Sequence, residues 1–278
     1  MNNPYKRTDI FRCNQDAHRS FEGRVSVYHV IKEKGCYPQG CLYFLWHCSL
    51  LEKGNRCIQG YNYIGKNCKG CTYYMEEKVH LQPFLQVGDD EYIAFQDELE
   101  EFETWLDTVR YRIKEIAGKI YTVKPWVEKI ILPRETHIKL RGYLLVLKKG
   151  FIGLDAFNNT FYIRVSEKMM KEYRFLPKMK IELRGEIRED RGRIFVHRPR
   201  SVHLLNKGWG RPLTREKVLV AIKTATIFRE QPEHCLKCPW GILVDVKDRS
   251  EHEIQKYRHL YCLKAMSDHT DCYCRKLN

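Results

Sequence analysis

The stretch THIKLRGYLLVLKKG, residues 136–150, alternates apolar and polar side chains. Successive side chains of a β-strand point to opposite faces, so this alternation predicts a strand with one face in a core. The apolar face would carry Ile138, Leu140, Gly142, Leu144 and Val146. The stretch TFYIRVS (160–166) repeats the pattern after a predicted turn at Asn158-Asn159. This part of the chain is therefore expected to build a β-sheet.

A short helix and two further strands follow. Residues 166–177, SEKMMKEYRFLP, predict a helix with Ser166 at its N-cap and Pro177 as its stop. The stretch 180–205 predicts two strands joined by the turn DRG (190–192), because its apolar residues again alternate with polar ones.

The order strand, strand, strand, helix, strand, strand over residues 136–206 resembles the OB-fold, a small five-stranded barrel. The first two strands would come from residues 136–157, divided near Gly150 or Gly153. OB-folds bind nucleic acids on their strands and loops. The resemblance therefore implies a nucleic-acid-binding module in the middle of the chain.

The whole chain predicts an α+β protein with four regions. A central five-stranded OB-like β-barrel is flanked by two small Cys-rich metal-binding modules and a long amphipathic connecting helix. The N-terminal module spans residues 1–88, and the helix with a linker spans 89–135. The basic barrel spans 136–211, and residues 212–278 hold a further helix (214–230) and the C-terminal module.

Residues 89–118 predict a helix of about 28 residues, because they contain no proline and no internal glycine. Apolar side chains recur there at steps of three, four or six. They are Ile93, Leu99, Phe102, Leu106, Val109, Ile113 and Ile116. Acidic residues crowd the first half and basic residues the second, which suits the helix dipole.

The formal net charge of +14 is concentrated in one block. Residues 137–211 contain 18 basic and 7 acidic side chains, a surplus of 11. Such a block indicates a polyanionic partner, and single-stranded nucleic acid is favoured, with DNA and RNA both open. An acidic protein partner is one alternative. In another, the basic residues bind no partner and only keep the sheet soluble and prevent its edges from pairing with other strands.

Strand alternation places basic and aromatic side chains on the outer face of the predicted barrel. Arginine and lysine neutralise phosphates, and tyrosine can stack on an exposed base. The predicted contact residues are Lys139, Arg141, Tyr143, Tyr162, Arg164, Arg184, Arg188, Arg191, Arg193, Arg198 and Arg200.

Twelve cysteines need an explanation in this chain. The stretch MNNPYKRTDIFR (1–12) lacks the apolar run of a signal peptide, and no apolar run is long enough to span a membrane. We therefore expect a cytoplasmic protein without membrane contact. Clustered cysteines in a reducing cytoplasm are more often metal ligands or catalytic groups than disulfides.

Two sets of four cysteines are predicted metal sites. Each contains a Cys-x2-Cys pair, whose tight turn can direct both sulfurs at one ion. The N-terminal set is Cys48, Cys57, Cys68 and Cys71, and the C-terminal set is Cys235, Cys238, Cys262 and Cys272. A third site across the two chain ends would use Cys13, Cys36, Cys41 and Cys274. Burial as ordinary core residues is an equal alternative for these last four.

Thiolate ligation suits both a [4Fe–4S] cluster and Zn²⁺. The cluster is favoured slightly, because structural zinc usually brings two short ligand pairs per site and each set here has only one. Bulky aromatic residues would keep solvent from a cluster. They are Tyr61, Tyr63, Tyr73, Tyr74 and Trp240.

No phosphate-binding glycine loop, zinc-protease motif or nucleophile elbow is present in the sequence, so no catalysis is indicated. The favoured function is a metal-stabilised protein that binds single-stranded DNA or RNA on a basic OB-like barrel. The alternative is an iron–sulfur redox or catalytic protein, for electron transfer or nucleic-acid processing. In that alternative the barrel is a scaffold or docks a partner.

Overall fold

The computed structural model of the chain describes residues 1–228, 230–250 and 254–273. The fold is mixed α+β, as predicted, with one large strand-rich sheet and few helices. The chain divides into two compact units. The small unit is Thr8–Gly88, and the large unit combines Met1–Arg7 with the chain from Asp89 onward.

The small unit is built from short elements. Its strands are β1 (Phe11–Arg12), β2 (Arg24–Val25), β3 (Cys41–Cys48), β4 (Tyr74–Leu81) and β5 (Phe84–Leu85). Strand β1 pairs antiparallel with β2 and β5, and β3 forms an antiparallel pair with β4. Its helical segments are a 3₁₀ turn (Asp16–Phe21), a π-helical turn (His29–Glu33), α1 (Ser49–Glu52) and a 3₁₀ turn (Lys66–Cys68).

The large unit opens with a 3₁₀ turn (Pro4–Lys6) and holds the remaining elements. Its helices are α2 (Asp89–Val109), α3 (Glu167–Tyr173), α4 (Arg215–Lys223) and α5 (Glu233–Lys237). Its strands are β6 (Ile113–Ile131), β7 (Thr136–Ile152), β8 (Asp155–Phe157), β9 (Phe161–Val165), β10 (Lys180–Asp190), β11 (Arg193–Leu204), β12 (Thr226–Phe228), β13 (Gly241–Asp248) and β14 (Gln255–Cys262). Among the described residues, none of the helices combines the length and apolar character needed to cross a membrane.

Five strands of the large unit pair in a closed ring. Strand β6 pairs with β7 and β10, β7 with β9, and β10 with β11, all antiparallel. The ring closes where β9 and β11 pair in parallel. Strand β13 pairs in parallel with the far end of β6, and β14 and β12 extend the sheet from there.

Apolar side chains from all five ring strands form the core of the large unit. Fully or almost fully buried examples are Ile116, Tyr143, Leu145, Leu147, Phe161, Ile163, Ile181, Leu183, Ile187, Ile194 and Val196. Burying one such large side chain is worth about 1.5–3 kcal/mol. The alternation that the sequence shows in 160–166 is observed, since Phe161, Ile163 and Val165 all face the core.

The predicted helix over 89–118 is too long. Helix α2 ends at Val109, and Tyr111 has a left-handed backbone with φ of 61°. Residues 113–131, predicted as helix end and linker, form strand β6 instead. Ile113 and Ile116 continue the helical spacing of the apolar residues, but in β6 they lie on opposite faces, since Ile116 is buried and Ile113 is exposed. The ring therefore takes its first strand from β6. Residues 136–157 do form two strands divided at Gly153, as predicted, because β7 pairs antiparallel with β8, but only β7 belongs to the ring.

A β-bulge in β7 reverses the predicted faces. Leu140 pairs with Val127 and Gly142 pairs with Trp126, so Arg141 is an extra residue between two successive pairs. One inserted residue moves every later side chain to the opposite face. Tyr143, predicted to face outward, is consequently only 1% exposed.

Two smaller predictions also need correction. Helix α4 ends at Lys223 rather than near residue 230, because Thr226–Phe228 pair with β14 as strand β12. The first seven residues belong to the large unit rather than to the N-terminal module. Asn3 donates its side-chain amide to the carbonyl oxygen of Gly192 at 3.0 Å, which ties this segment to the β10–β11 turn.

Candidate functional site

Lysine side chains gather where β10 begins beside β6. Lys119 in β6 lies directly opposite Lys180 in β10, and both side chains are exposed. Like charges directly opposite each other across two strands are destabilising. We call this surface the lysine–aromatic patch; it comprises Lys119, Tyr121, Lys148, Lys178, Lys180 and Trp209.

Each aromatic ring of the patch is contacted by a lysine. The Lys148 Nζ lies 3.9 Å from the centre of the Tyr121 ring, and the Lys178 Nζ lies 4.8 Å from the Trp209 ring. Such contacts hold an ammonium group over a ring with about 0.5–1 kcal/mol at exposed sites. Trp209 is 73% exposed, which is unusual for so large an apolar side chain.

Backbone hydrogen bonds join the segments that carry the patch. The Lys178 amide donates to the Ile120 carbonyl at 2.8 Å, and the Ile120 amide donates to the Met179 carbonyl at 2.8 Å. The Trp209 amide donates to the Pro177 carbonyl at 3.0 Å. Within the part of the chain that is described, no carboxylate forms an ion pair with a lysine of the patch. The patch is thus a fixed surface of uncompensated positive charge.

Four of the predicted arginines lie on β10 and β11; two of them form ion pairs with Glu186, and the other two lie directly opposite each other. They are Arg184, Arg188, Arg198 and Arg200. Glu115 in β6 lies directly opposite Arg184. Glu186 accepts a hydrogen bond from Arg188 at 2.7 Å, and this bond lowers the pKa of Glu186. The carboxylates offset part of the positive charge on these strands.

Two other predicted contact residues are structural. Tyr143 lies in the core, so it cannot stack on a ligand. Arg164 is packed between Trp126 and Phe195, at 4.5 Å and 4.3 Å from the ring centres. Its guanidinium also lies 3.4 Å from the Asp190 carboxylate. These contacts occupy Arg164 inside the protein.

Three more predicted residues lie near the β10–β11 turn. Tyr162 stacks on Phe195 with 5.1 Å between ring centres, and the Arg193 guanidinium lies 5.8 Å from the Tyr162 ring. Burial lowers the pKa of Arg193. Arg191 accepts a hydrogen bond at its carbonyl from Lys6 at 2.7 Å. Tyr162 and Arg193 therefore mainly contact other protein groups.

Lys139 and Arg141 remain exposed on β7. Arg141 lies 3.9 Å from the Glu128 carboxylate, which Lys247 also reaches at 2.5 Å. Of these two predicted contact residues, Lys139 is the one without an ion pair among the described residues.

The C-terminal cysteine set lines one pocket in the large unit. Cys235 lies in α5, Cys238 follows it, Cys262 ends β14, and Cys272 comes from the chain near its end. Apolar side chains also line this pocket, namely Phe228, Trp240, Leu260 and Met266. Strand pairing places Cys262 directly opposite Gly241, three residues after Cys238. The fold thus gathers all four predicted sulfur ligands around one space.

The turn after Cys238 has the backbone arrangement of a sulfur-ligand turn. The Trp240 amide donates to the Cys238 sulfur at 3.4 Å, and the Gly241 amide donates to the Cys238 carbonyl at 3.2 Å. Hydrogen bonds to sulfur stabilise thiolate ligands. A Cβ at Gly241 would lie 1.9 Å from the Cys235 carbonyl oxygen, so only glycine fits this close approach.

A buried lysine supports the same turn. The Lys124 Nζ donates to the carbonyl oxygens of Leu236 at 3.0 Å and Gly241 at 2.7 Å. Burial lowers the pKa of Lys124 to about 8, and the nearby Cys238 and Cys235 act in the opposite direction. The Lys124 ammonium group therefore lies near two of the predicted sulfur ligands.

The N-terminal set lies in and after the β3–β4 pair. Cys48 ends β3 opposite Tyr74, and the Tyr74 amide donates to the Cys71 carbonyl at 3.0 Å. The Cys57 sulfur accepts a hydrogen bond from the Gln59 amide at 3.4 Å, and the Gly60 amide donates to the Cys57 carbonyl at 3.0 Å. This repeats the pattern found at Cys238.

Of the four cysteines predicted for a third site, three line one pocket, and the fourth is not described by the structure. Cys13, Cys36 and Cys41 line a second pocket, which lies in the small unit. Cys274, predicted as their partner, lies outside the described residues. Across the described parts of the chain, no three His, Cys, Asp or Glu side chains already stand as a ready group for a metal ion.

No protein family model matches this chain, and neither a curated protein nor a solved structure is significantly similar to it. The lysine–aromatic patch was not among the predicted contact residues. The signals available for it were LKKG (147–150), LPKMK (176–180) and NKGWG (206–210), each with a lysine next to a glycine or a proline.

Proposed function

We propose that this chain is a metal-stabilised protein that binds single-stranded nucleic acid, with the lysine–aromatic patch as its main contact surface. The observation that carries the proposal is the exposed pair Lys119 and Lys180, directly opposite each other without an ion pair among the described residues. A fold tolerates such repulsion readily where an anionic ligand relieves it.

The five-stranded ring supports the resemblance to the OB-fold. Its strands occur along the chain as β6, β7, β9, β10 and β11, with α3 between the third and the fourth. This is the order expected of an OB module, although it begins at residue 113 instead of 136. In the proposal, the lysines contact phosphates and Trp209 stacks on a base through the ring face that Lys178 does not cover.

The alternation of lysines with two aromatic side chains favours single strands over duplexes. An exposed indole can stack on a base only when that base is not already stacked inside a helix. Nothing in the patch distinguishes a ribose from a deoxyribose, so the proposal covers DNA and RNA.

Cys235, Cys238, Cys262 and Cys272 would hold the metal centre of the large unit. The Gly241 turn, the hydrogen bond to the Cys238 sulfur and the ammonium group of Lys124 fit a set of thiolates there. The apolar lining and the single short ligand pair favour [4Fe–4S] over Zn²⁺. The centre would fix the C-terminal hairpin on the large unit.

Binding of a labelled 12-nucleotide oligonucleotide, followed by fluorescence anisotropy at several salt concentrations, tests the proposal. We expect affinity to fall steeply with salt, and a hairpin duplex of the same length to bind more weakly. Weak binding that does not change between 50 and 200 mM salt would refute it.

Visible spectra of anaerobically purified protein test the metal centre separately. A brown protein with broad absorption is expected. A reducible cluster in a protein that binds no oligonucleotide would support the iron–sulfur redox alternative instead. Colourless protein with stoichiometric zinc would exclude the cluster and that alternative together.

A further inference from the structure

The pocket of the small unit contains more than the three cysteines that the sequence singled out. Cys13, Cys36, Cys41, His18 and His29 all line it. Cys13 and Cys36 are buried. All five residues belong to the first part of the small unit, so this unit alone supplies the donor groups.

The spacing of these residues gives two short ligand pairs. His18 follows Cys13 after four residues, and Cys41 follows Cys36 after four residues. Structural zinc sites take their ligands from two such short pairs. Neither of the two other cysteine sets in this chain has this pattern.

Backbone hydrogen bonds shape both pairs. The Cys13 amide donates to the Gly23 carbonyl at 2.9 Å, which fixes the strand before the turn that carries His18. The Cys36 amide donates to the Val30 carbonyl at 3.0 Å, and the Gly40 amide donates to the Cys36 carbonyl at 2.6 Å. The second bond closes a tight turn that brings Cys41 back toward Cys36.

The two histidines of the pocket differ in the hydrogen bonding of their Nδ1 atoms. The Nδ1 atom of His29 lies 2.7 Å from the Glu33 carboxylate. The Nδ1 atom of His18 is buried and has no hydrogen-bond partner among the described residues. A buried polar nitrogen without a partner costs about 1–3 kcal/mol, so a missing ligand is the simplest reason for it. The His29 ring, 5.0 Å from the His18 ring and nearly perpendicular to it, limits how His18 can turn.

The small unit contains little regular secondary structure. Three of its strands have only two residues each, and the exposed face of β3 carries Leu42, Phe44 and Trp46. Domains of this size with little regular structure often depend on a metal or disulfides for stability.

We infer that the small unit binds one Zn²⁺ through the sulfurs of Cys13, Cys36 and Cys41 and the Nδ1 atom of His18. Three thiolates and one imidazole form a common tetrahedral zinc site. His18 would be the fourth ligand, the position predicted for Cys274 from the sequence. The thiol side chains must rotate toward the ion when it binds, since they are not yet assembled as a metal group. Binding releases the three thiol protons.

Zinc content of the full chain, measured by mass spectrometry after dialysis against a weak chelator, tests this inference. We expect His18→Ala and Cys36→Ser to contain one zinc per chain less than the unchanged protein. The matched control His29→Ala removes the other histidine of the pocket and should keep the unchanged zinc content. Equal zinc content in His18→Ala and His29→Ala would overturn the assignment.

A cobalt-substituted protein provides a second measurement, in case His18→Ala does not fold. His18→Cys restores a ligand and should bind Co²⁺, with stronger sulfur-to-cobalt charge-transfer absorption than the unchanged protein because one thiolate has been added. An identical spectrum would show that His18 is not a ligand. Oligonucleotide binding is not used in either measurement, so the inference stands or fails independently of the proposed function.

Discussion

Removing the two opposed lysines should weaken nucleic-acid binding and stabilise the fold at the same time. The change is the double substitution Lys119→Gln and Lys180→Gln, which keeps much of each side-chain stem and removes both charges. Because the two lysines lie directly opposite each other in β6 and β10, relief of their repulsion should raise the free energy of unfolding by about 0.2–1 kcal/mol. Loss of two phosphate contacts should lower affinity.

The salt dependence of binding gives the size of the expected loss in affinity. Each phosphate contact to a single strand contributes about 0.7 to the slope of log affinity against log salt, so the double variant should have a slope shallower by about 1.4. Between 50 and 200 mM salt, the unchanged protein should therefore lose about sevenfold more affinity than the variant. Fluorescence anisotropy measures the slope, and urea unfolding measures the stability.

The matched control is Lys217→Gln with Lys223→Gln. Both lysines are exposed in α4, and their removal changes the net charge by the same amount. We expect the control to keep the slope of the unchanged protein. An equally shallower slope of log affinity against log salt in both double variants would show that only net charge matters. The patch would then not be the contact surface.

Three further predictions concern other parts of the large unit. Trp209→Ala should weaken oligonucleotide binding by about 1–3 kcal/mol, measured by anisotropy, whereas Trp209→Phe should keep most of the affinity because a ring remains. Gly241→Ala should reduce the metal content measured by elemental analysis, because the new Cβ would collide with the Cys235 carbonyl. The control Gly88→Ala should leave the metal content unchanged, because no atom lies close to the position of its new Cβ. Burial, with Arg164 and Arg188 nearby, lowers the pKa of His197 to about 4, so the unfolded chain binds a proton between about pH 6.5 and 4 that the folded chain does not. Thermal unfolding should therefore show stability falling as pH drops through this window, and His197→Gln should reduce the slope.

Local patterns in the sequence were sufficient for several elements. Ser166 and Thr214 are N-caps of α3 and α4, because their hydroxyl groups accept hydrogen bonds from the amides of Met169 and Lys217. These signals work since cap and helix are neighbours in the chain. Cys235 and Cys238 could be predicted as a ligand pair because they too are close neighbours in the chain.

The ends of elements were less predictable. The sequence favours a helix through residue 118, but the backbone of Tyr111 turns to φ of 61°, and its amide donates to the Ile187 carbonyl at 2.8 Å. That partner lies in β10, far along the chain. A local pattern contains no information about such a contact, so the sequence does not predict strand β6, and the ring of five strands begins at residue 113 rather than 136.

The sequence by itself determined the α+β class, the basic character of the middle of the chain and the residue types able to bind metal. These properties follow from composition and from short spacings in the chain. They do not depend on which segments become neighbours in the fold. Only the tertiary structure decided that Lys119 faces Lys180, that Tyr143 is buried and that His18 lines a pocket with three cysteines. The register of β6 against β10 fixes the lysine pair, and the bulge at Arg141 turns Tyr143 into the core, because one extra residue moves every later side chain to the other face. His18 reaches the pocket on a turn between strands, which no strand periodicity predicts.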